Sequence, residues 1–176
     1  MSFEFIYSTE MMYFSLITLG VIGAFDEAYY HQYVGRILWR KECFQENILH
    51  LIRTFSFSFI FFIFSCVELS GYYVLVLSFF FMSDLVVGLL DIIEERSSRS
   101  FQGGLRSGEY LTHMLLSFHL GALYINLVPR MLKAFNLDSS IQFSNPSNVW
   151  QFILILFSLG SFSYGIFQAR VLVKNK

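Results

Sequence analysis

Four short runs of the sequence concentrate the side chains that bind metals or move protons. FDEAYYH carries Asp26, Glu27 and His31, and ENILHLIR carries Glu46, His50 and Arg53. DIIEER carries Asp91, Glu94 and Glu95, and EYLTH carries Glu109 and His113. Glu27/His31, Glu46/His50, Asp91/Glu95 and Glu109/His113 are each spaced i, i+4. That spacing puts both side chains on one face of a helix. Each run could therefore aim two ligand-type groups at a common point. Carboxylates together with imidazoles suit iron, manganese or zinc. Helical bundles that hold two metals use a related device, with carboxylate–histidine pairs spaced i, i+3. Here the spacing is i, i+4, so the parallel lies in the physics and not in a motif. The same side chains also suit a metal-free network of carboxylates, His and Arg, with Arg53, Arg96 and Arg36 close in sequence.

The elements that must position these runs are membrane-spanning helices. Of 176 residues, 55% are hydrophobic and 19% aromatic, with 22 Phe and 10 Tyr. Charged residues make up 14%, where a soluble domain has about 25%. So small a soluble domain could not hide this much apolar surface, and disorder is excluded on the same ground. The net charge of −1 leaves no electrostatic footprint for nucleic acid. Five apolar segments are long enough to span a bilayer, at about 11–33, 42–69, 72–93, 110–128 and 149–169. The expected fold is all-α: one integral membrane domain over 1–176, a five-helix bundle with a four-helix polar core. Only Ser70 and Gly71 are expected to separate the second and third helices. Pro129 is expected just beyond the fourth. Glu94–Gly108 and the NLDSSIQFSNPSN segment read as polar loops, the first of them mobile. The fifth helix has no ionisable residue over 149–169 and is expected outside the other four, facing lipid.

Basic residues orient the bundle. Arg36, Arg40, Lys41, Arg53, Arg96, Arg99, Arg106, Arg170, Lys174 and Lys176 fall on one side, and Arg130 and Lys133 on the other. By the positive-inside rule the first side is cytoplasmic. The N-terminus is then outside and the C-terminus inside. The first 35 residues contain no Lys or Arg, so the first apolar segment is expected to be a retained helix and not a cleaved signal. All four chemistry-bearing runs end up at the basic end of their helices, where antiparallel packing would gather them into one layer. Ionisable residues in spans are functional suspects by default.

Other polar residues carry weaker signals. His119 reads as a hydrogen-bonded core histidine, and Glu68 as interfacial. Asp84 lies mid-span on the face of Asp91 and is expected to point into the bundle, as a proton-relay group or a partner for a hydroxyl. Tyr29 and Tyr30 suit an aromatic belt or a donor role beside the carboxylates. Asn126 is expected at a helix–helix contact. Cys43 and Cys66 form no framework and no CxxC and read as small hydrophobes. No nucleophile motif such as GxSxG or HExxH is present.

FDEAYYH, ENILHLIR, a Glu late in the second helix, DLVVGLLDIIEER and EYLTH together resemble a bacterial integral membrane family with FDxxYYH, ExxxH, DxxxE and ExxxH elements. Members of that family sometimes accompany an epimerase-like, short-chain-dehydrogenase-type domain. The resemblance covers about residues 20–130 and implies a site without naming its reaction. It matches Asp26, His31, Glu46, His50, Arg53, Asp91, Glu95, Glu109 and His113, and it favours Asp26 over Glu27 as a ligand. The expected metal ligands are therefore Asp26, His31, Glu46, His50, Asp91, Glu95, Glu109 and His113. Arg53, Tyr30, Glu27 and Asp84 are expected around them.

Three functions fit these residues. The first is a metal-dependent membrane oxidoreductase of a bacterial inner membrane. It would hold a divalent metal, iron before manganese or zinc, in a di-iron arrangement, and act on a lipid or quinone. Membrane lipids and possible partner proteins are its surroundings, and nucleic acid is not. The second is a non-enzymatic subunit or anchor whose polar layer locks the bundle. The third is a small metal or proton transporter.

Overall fold

The computed structural model describes residues 9–143 and 145–175, so Lys176 of the basic set lies outside the described residues. The fold is all-α. Five helical stretches are long and apolar enough to cross a membrane: Thr9–Gly35, Lys41–Cys66, Gly71–Ser98, Ser107–Phe135 and Val149–Lys174. Within them, α1 is Thr9–Phe25, α2 Phe44–Cys66, α3 Val74–Ser98, α4 Ser107–Phe135 and α5 Val149–Asn175.

α1 does not end at its polar run. It continues as a π-helix over Asp26–Gly35, closed by Arg36, whose backbone N–H bonds His31 O and whose φ is 52°. A π-helix is wound more widely than an α-helix and marks functional sites often. Here the widening brings Asp26, five residues before His31, onto the side that faces the layer.

α1 packs on α4, and α2 packs on both α3 and α5. The half of the bundle away from the basic end is apolar: Met12, Leu16, Leu19, Ile60, Phe61, Leu77, Phe81, Leu123, Leu127 and Leu154 form its core. Without a hydrophobic drive between helices inside lipid, small residues and interhelical hydrogen bonds do the joining. Ser58 Oγ bonds Ser158 O and Ser158 Oγ bonds Ser58 O, both at 2.9 Å. Phe157 fills the space a side chain at Gly20 would need, and Phe55 does the same at Gly165.

The sequence expectations need five corrections. α2 stops at Cys66, and Val67–Ser70 forms a strand, β1. This pairs antiparallel with β2, Ser140–Phe143, from the segment read as loop, with Val67 opposite Phe143 and Ser70 opposite Ser140. Ser139 packs so closely on Gly71 (φ 59°) that no Cβ fits there. α4 runs through Pro129 to Phe135, as neighbouring helices allow for prolines in membrane helices. α3 extends to Ser98, so EERSS is helix and not mobile loop. Finally, α5 is not an outlying helix. It buries Leu154, Ser158, Gly165, Gln168, Val171 and Leu172 and packs along α2.

Candidate metal centre

All four runs meet at the basic end of the bundle. Asp26, His31, Glu46, His50, Asp91, Glu95 and Glu109 are buried, and the His113 side chain is 24% exposed. Two helix pairs each supply four of them. α1 and α4, which pack together, bring Asp26 and His31 against Glu109 and His113. His31 Nε2 lies 3.4 Å from Asp26 Oδ2 and 3.4 Å from Glu109 Oε1, and His113 Nε2 lies 3.2 Å from Asp26 Oδ2. α2 and α3, also packed together, bring Glu46 and His50 against Asp91 and Glu95. His50 Nε2 lies 3.3 Å from Asp91 Oδ1 and 3.9 Å from Glu46 Oε1. The halves touch: the His31 and His50 rings are 4.3 Å apart, and His113 Nδ1 is 3.7 Å from Glu95 Oε1.

Glu27 sets the direction of two imidazoles. Its Oε2 lies 3.3 Å from His31 Nδ1 and 3.5 Å from His50 Nδ1. A carboxylate there accepts an Nδ1–H from each ring, and a ring that is neutral would then present its Nε2 lone pair to the layer. Metal-bound histidines are oriented by this device. Glu27 is itself held: Gln32 Nε2 donates to its Oε1 at 2.7 Å, and the Tyr164 hydroxyl of α5 donates to the same oxygen at 2.5 Å.

The layer leaves polar atoms without hydrogen bonds. Among the described residues His31 Nε2, His50 Nε2, Asp91 Oδ1, Glu95 Oε1 and Glu109 Oε1 are buried and have no partner of hydrogen-bonding geometry. They lie near one another but are not aligned as donor and acceptor. Buried polar atoms left so are costly and call for an explanation, and a cation between them supplies one. One ligand atom each from His31, Glu46, His50 and Glu95 lies within 4.8 Å of the others, as do atoms from Asp26, His31 and His113. His31 is common to both groups, and its single free Nε2 can serve only one ion.

Two arginines tie the acids. Arg53 Nε donates to Asp84 Oδ1 at 3.0 Å and its Nη1 to Asp91 Oδ2 at 3.3 Å. Asp84 is thus an arginine partner, not the partner of a hydroxyl. Arg99, 1% exposed, reaches Glu46 Oε1 at 2.6 Å and Glu109 Oε1 at 3.1 Å through Nη2. Burial works against its charge, but Glu46 and Glu109 more than offset this and its pKa lies above the ordinary arginine value. Ser98 Oγ also donates to Glu46, and Thr112 Oγ1 donates to Asp26 at 2.6 Å.

Every residue of the expected ligand set therefore lies in one layer, and so do Glu27 and Arg53. Tyr30 does not reach the carboxylates. Its hydroxyl occupies the space a Cβ at Gly108 would fill, and its ring packs on Phe25 and Tyr29. Tyr29 stacks on Phe25 and Tyr33 at the exposed surface. Glu94 bonds Ser97 outside the layer. His119 packs on Phe14 and Phe118, and Asn126 Nδ2 bonds Ala122 O of its own helix. Both cysteines are free thiols. Sequence reasoning missed Arg99, Tyr164, Gln32, Thr112 and Ser98. Ser158, Tyr164 and Gln168, polar residues spaced along a mostly apolar helix, are the available signal that α5 turns one face inward.

No family model matches the chain, and no curated protein or solved structure matches it either.

Proposed function

We propose that this chain is a membrane metalloprotein with a two-metal carboxylate/histidine centre at the cytoplasmic end of the bundle. The observation that carries this is the Glu27 lock: it engages Nδ1 of two buried imidazoles and leaves both Nε2 atoms among the carboxylates of the layer with no hydrogen bond of their own. The ligands divide as Asp26, His31, Glu109 and His113 for one ion and Glu46, His50, Asp91 and Glu95 for the other. Charge supports the same reading. Among the described residues, Asp26, Glu27, Glu46, Asp84, Asp91, Glu95 and Glu109 face only Arg53 and Arg99 as permanent cations within the layer. Two divalent ions would offset most of the excess. An oxygen-rich set with imidazoles favours iron, with manganese and zinc behind it. Iron there would supply redox chemistry toward a lipid or quinone. The resemblance to the bacterial membrane family falls on the same residues and supports treating them as one site.

A second reading keeps the layer metal-free, with its imidazoles and arginines paired to the carboxylates. The arginines support it, since Arg53 and Arg99 each already span two carboxylates. The chain would then be a subunit or anchor. A through-path for ions is opposed by the apolar core of the half away from the basic end. Elemental analysis of the purified protein separates the first two readings. About two equivalents of one transition metal are expected, lost when His31 and His50 are both replaced by Ala. A protein that folds and holds no stoichiometric metal after reconstitution would leave the ion-pair layer as the answer.

A further inference from the structure

We propose that a neutral, oxygen-bearing lipid reaches this centre sideways, between α3 and α4, and not from the water at the basic end. The nature of the centre rests on the metal reading above; the route does not.

The basic end is closed. Ile37 and Leu38 are buried over the layer. Asn47 Nδ2 pins their segment by bonds to Ile37 O at 2.7 Å and Cys43 O at 2.8 Å. Arg99 and Ser98 lie on Glu46. Gln102 Nε2 and Arg40 Nε both bond Gly35 O, at 3.3 and 3.0 Å, and Arg40 sits over the Phe101 ring. These contacts tie the loop after α3 to the segment after α1. The opposite end is closed by the apolar core.

The flanks differ. α1 packs on α4, and α2 on α3 and α5, whereas α3 and α4 touch sparsely. Across that seam Tyr124 reaches Phe81 O at 3.2 Å, deep in the bundle, and His113 faces Glu95 at the level of the layer. His113 is also the one expected ligand with a substantially exposed side chain: 24%, against 9% or less for its seven companions. Ile92, three residues before Glu95, and Tyr110, three before His113, are exposed at 64% and 56%.

Depth and charge select the ligand. His113 lies six residues into α4, roughly 9 Å along the helix from its first residue, so a ligand that meets it from the flank needs an apolar tail. The seven carboxylates outnumber the two arginines even with two divalent ions added, so an anion is disfavoured at this edge. A carbonyl or hydroxyl oxygen on an apolar tail fits both conditions. Quinones and neutral glycerolipids share that chemistry.

Labelling of metal-free protein in liposomes tests the route. In His113→Cys, a membrane-soluble maleimide should modify position 113 several-fold faster than an impermeant sulfonated maleimide applied to both faces. Glu42→Cys, at an exposed position of the basic end, serves as the aqueous control and should show the reverse. In the native chain, dicyclohexylcarbodiimide should modify Glu95 and a water-soluble carbodiimide should not, so the test survives a variant that fails to fold. Equal labelling by both classes of reagent, or by neither, would overturn the route. Decylubiquinone or diolein in the vesicle should protect position 113, and which of them does so identifies the source. Protection by neither, or equally by palmitate, would overturn the ligand class. Metal content is measured separately, so the metal reading can fail while the route stands.

Discussion

The two halves of the centre contain similar groups in different settings. Glu46, His50, Asp91 and Glu95 sit on regular α-helical turns of α2 and α3, and every one of their side chains is at most 9% exposed. Arg53 spans Asp91 and the deeper Asp84 beside them. Asp26, His31, Glu109 and His113 instead combine a π-helix with the first turns of α4, and His113 stands partly open. A closed ligand set suits a structural ion, and an open one suits a position that takes a ligand. On the two-metal reading, similar ingredients would hold firmly on one side and admit on the other.

The largest effect is expected where the halves are joined. Arg99 bridges Glu46 of one and Glu109 of the other with its guanidinium buried. Arg99→Ala leaves two buried acids without their cation. Removing one partner of such a network costs about 3–5 kcal/mol. The thermal midpoint of the detergent-purified variant should fall steeply, and added metal should restore part of it. A midpoint within a degree or two of the parent would mean the halves do not depend on this bridge.

Next comes the contrast itself. His50→Ala should empty the closed half and His113→Ala the open one, each losing about one metal of two. The ion left in His113→Ala should exchange slowly against a chelator, because its ligands are buried. The ion left in His50→Ala should exchange quickly. Equal exchange rates in the two variants would erase the distinction between closed and open halves.

Much of this arrangement is legible in the residues. Three of the four i, i+4 pairs lie on ordinary α-helices, and the basic residues place all four at one end. What escaped has physical reasons. Asp26 and His31 are five apart, a spacing that an α-helix does not place on one face and a π-helix does. Arg99 stands among Ser and Gly in a stretch whose composition reads as mobile, and only Glu46 and Glu109, distant in sequence, explain its burial. VELS continues the apolar run of α2, so its strand pairing depends on a partner more than sixty residues away. On α5 the absence of acidic, basic or histidine side chains over 149–169 concealed Tyr164, which acts by hydrogen bond and not by charge.

Glu27 touches an imidazole of each half, and its neutralisation should affect them together. Glu27→Gln keeps the shape but replaces an ionised acceptor with an amide. The Nδ1 protons of His31 and His50 would be held less firmly, and the Nε2 lone pairs less basic. Changing such an orienting carboxylate costs about 10–100-fold in metal affinity. Competitive titration with a coloured chelator should show both sites weakened. Loss at one site alone would assign Glu27 to that half.

The smallest effect belongs to the outermost link. Tyr164 donates to Glu27 Oε1, and Gln32 donates to the same oxygen and also to the Tyr164 hydroxyl at 2.9 Å. Tyr164→Phe removes one donor and keeps the ring where it packs near Phe167. Glu27 retains Gln32, so the carboxylate stays in place with one bond fewer. A hydrogen bond to a charged group contributes about 1.5–3 kcal/mol, and the share passed on to the metals through Glu27 is smaller still. Affinity at both sites should fall by only a few-fold, with metal content unchanged under saturating conditions. Because α5 touches the centre here through Glu27, the variant also measures what the fifth helix contributes. A loss as large as that of Glu27→Gln would make Tyr164 the group that fixes the carboxylate. No change at all would leave Gln32 sufficient for that task.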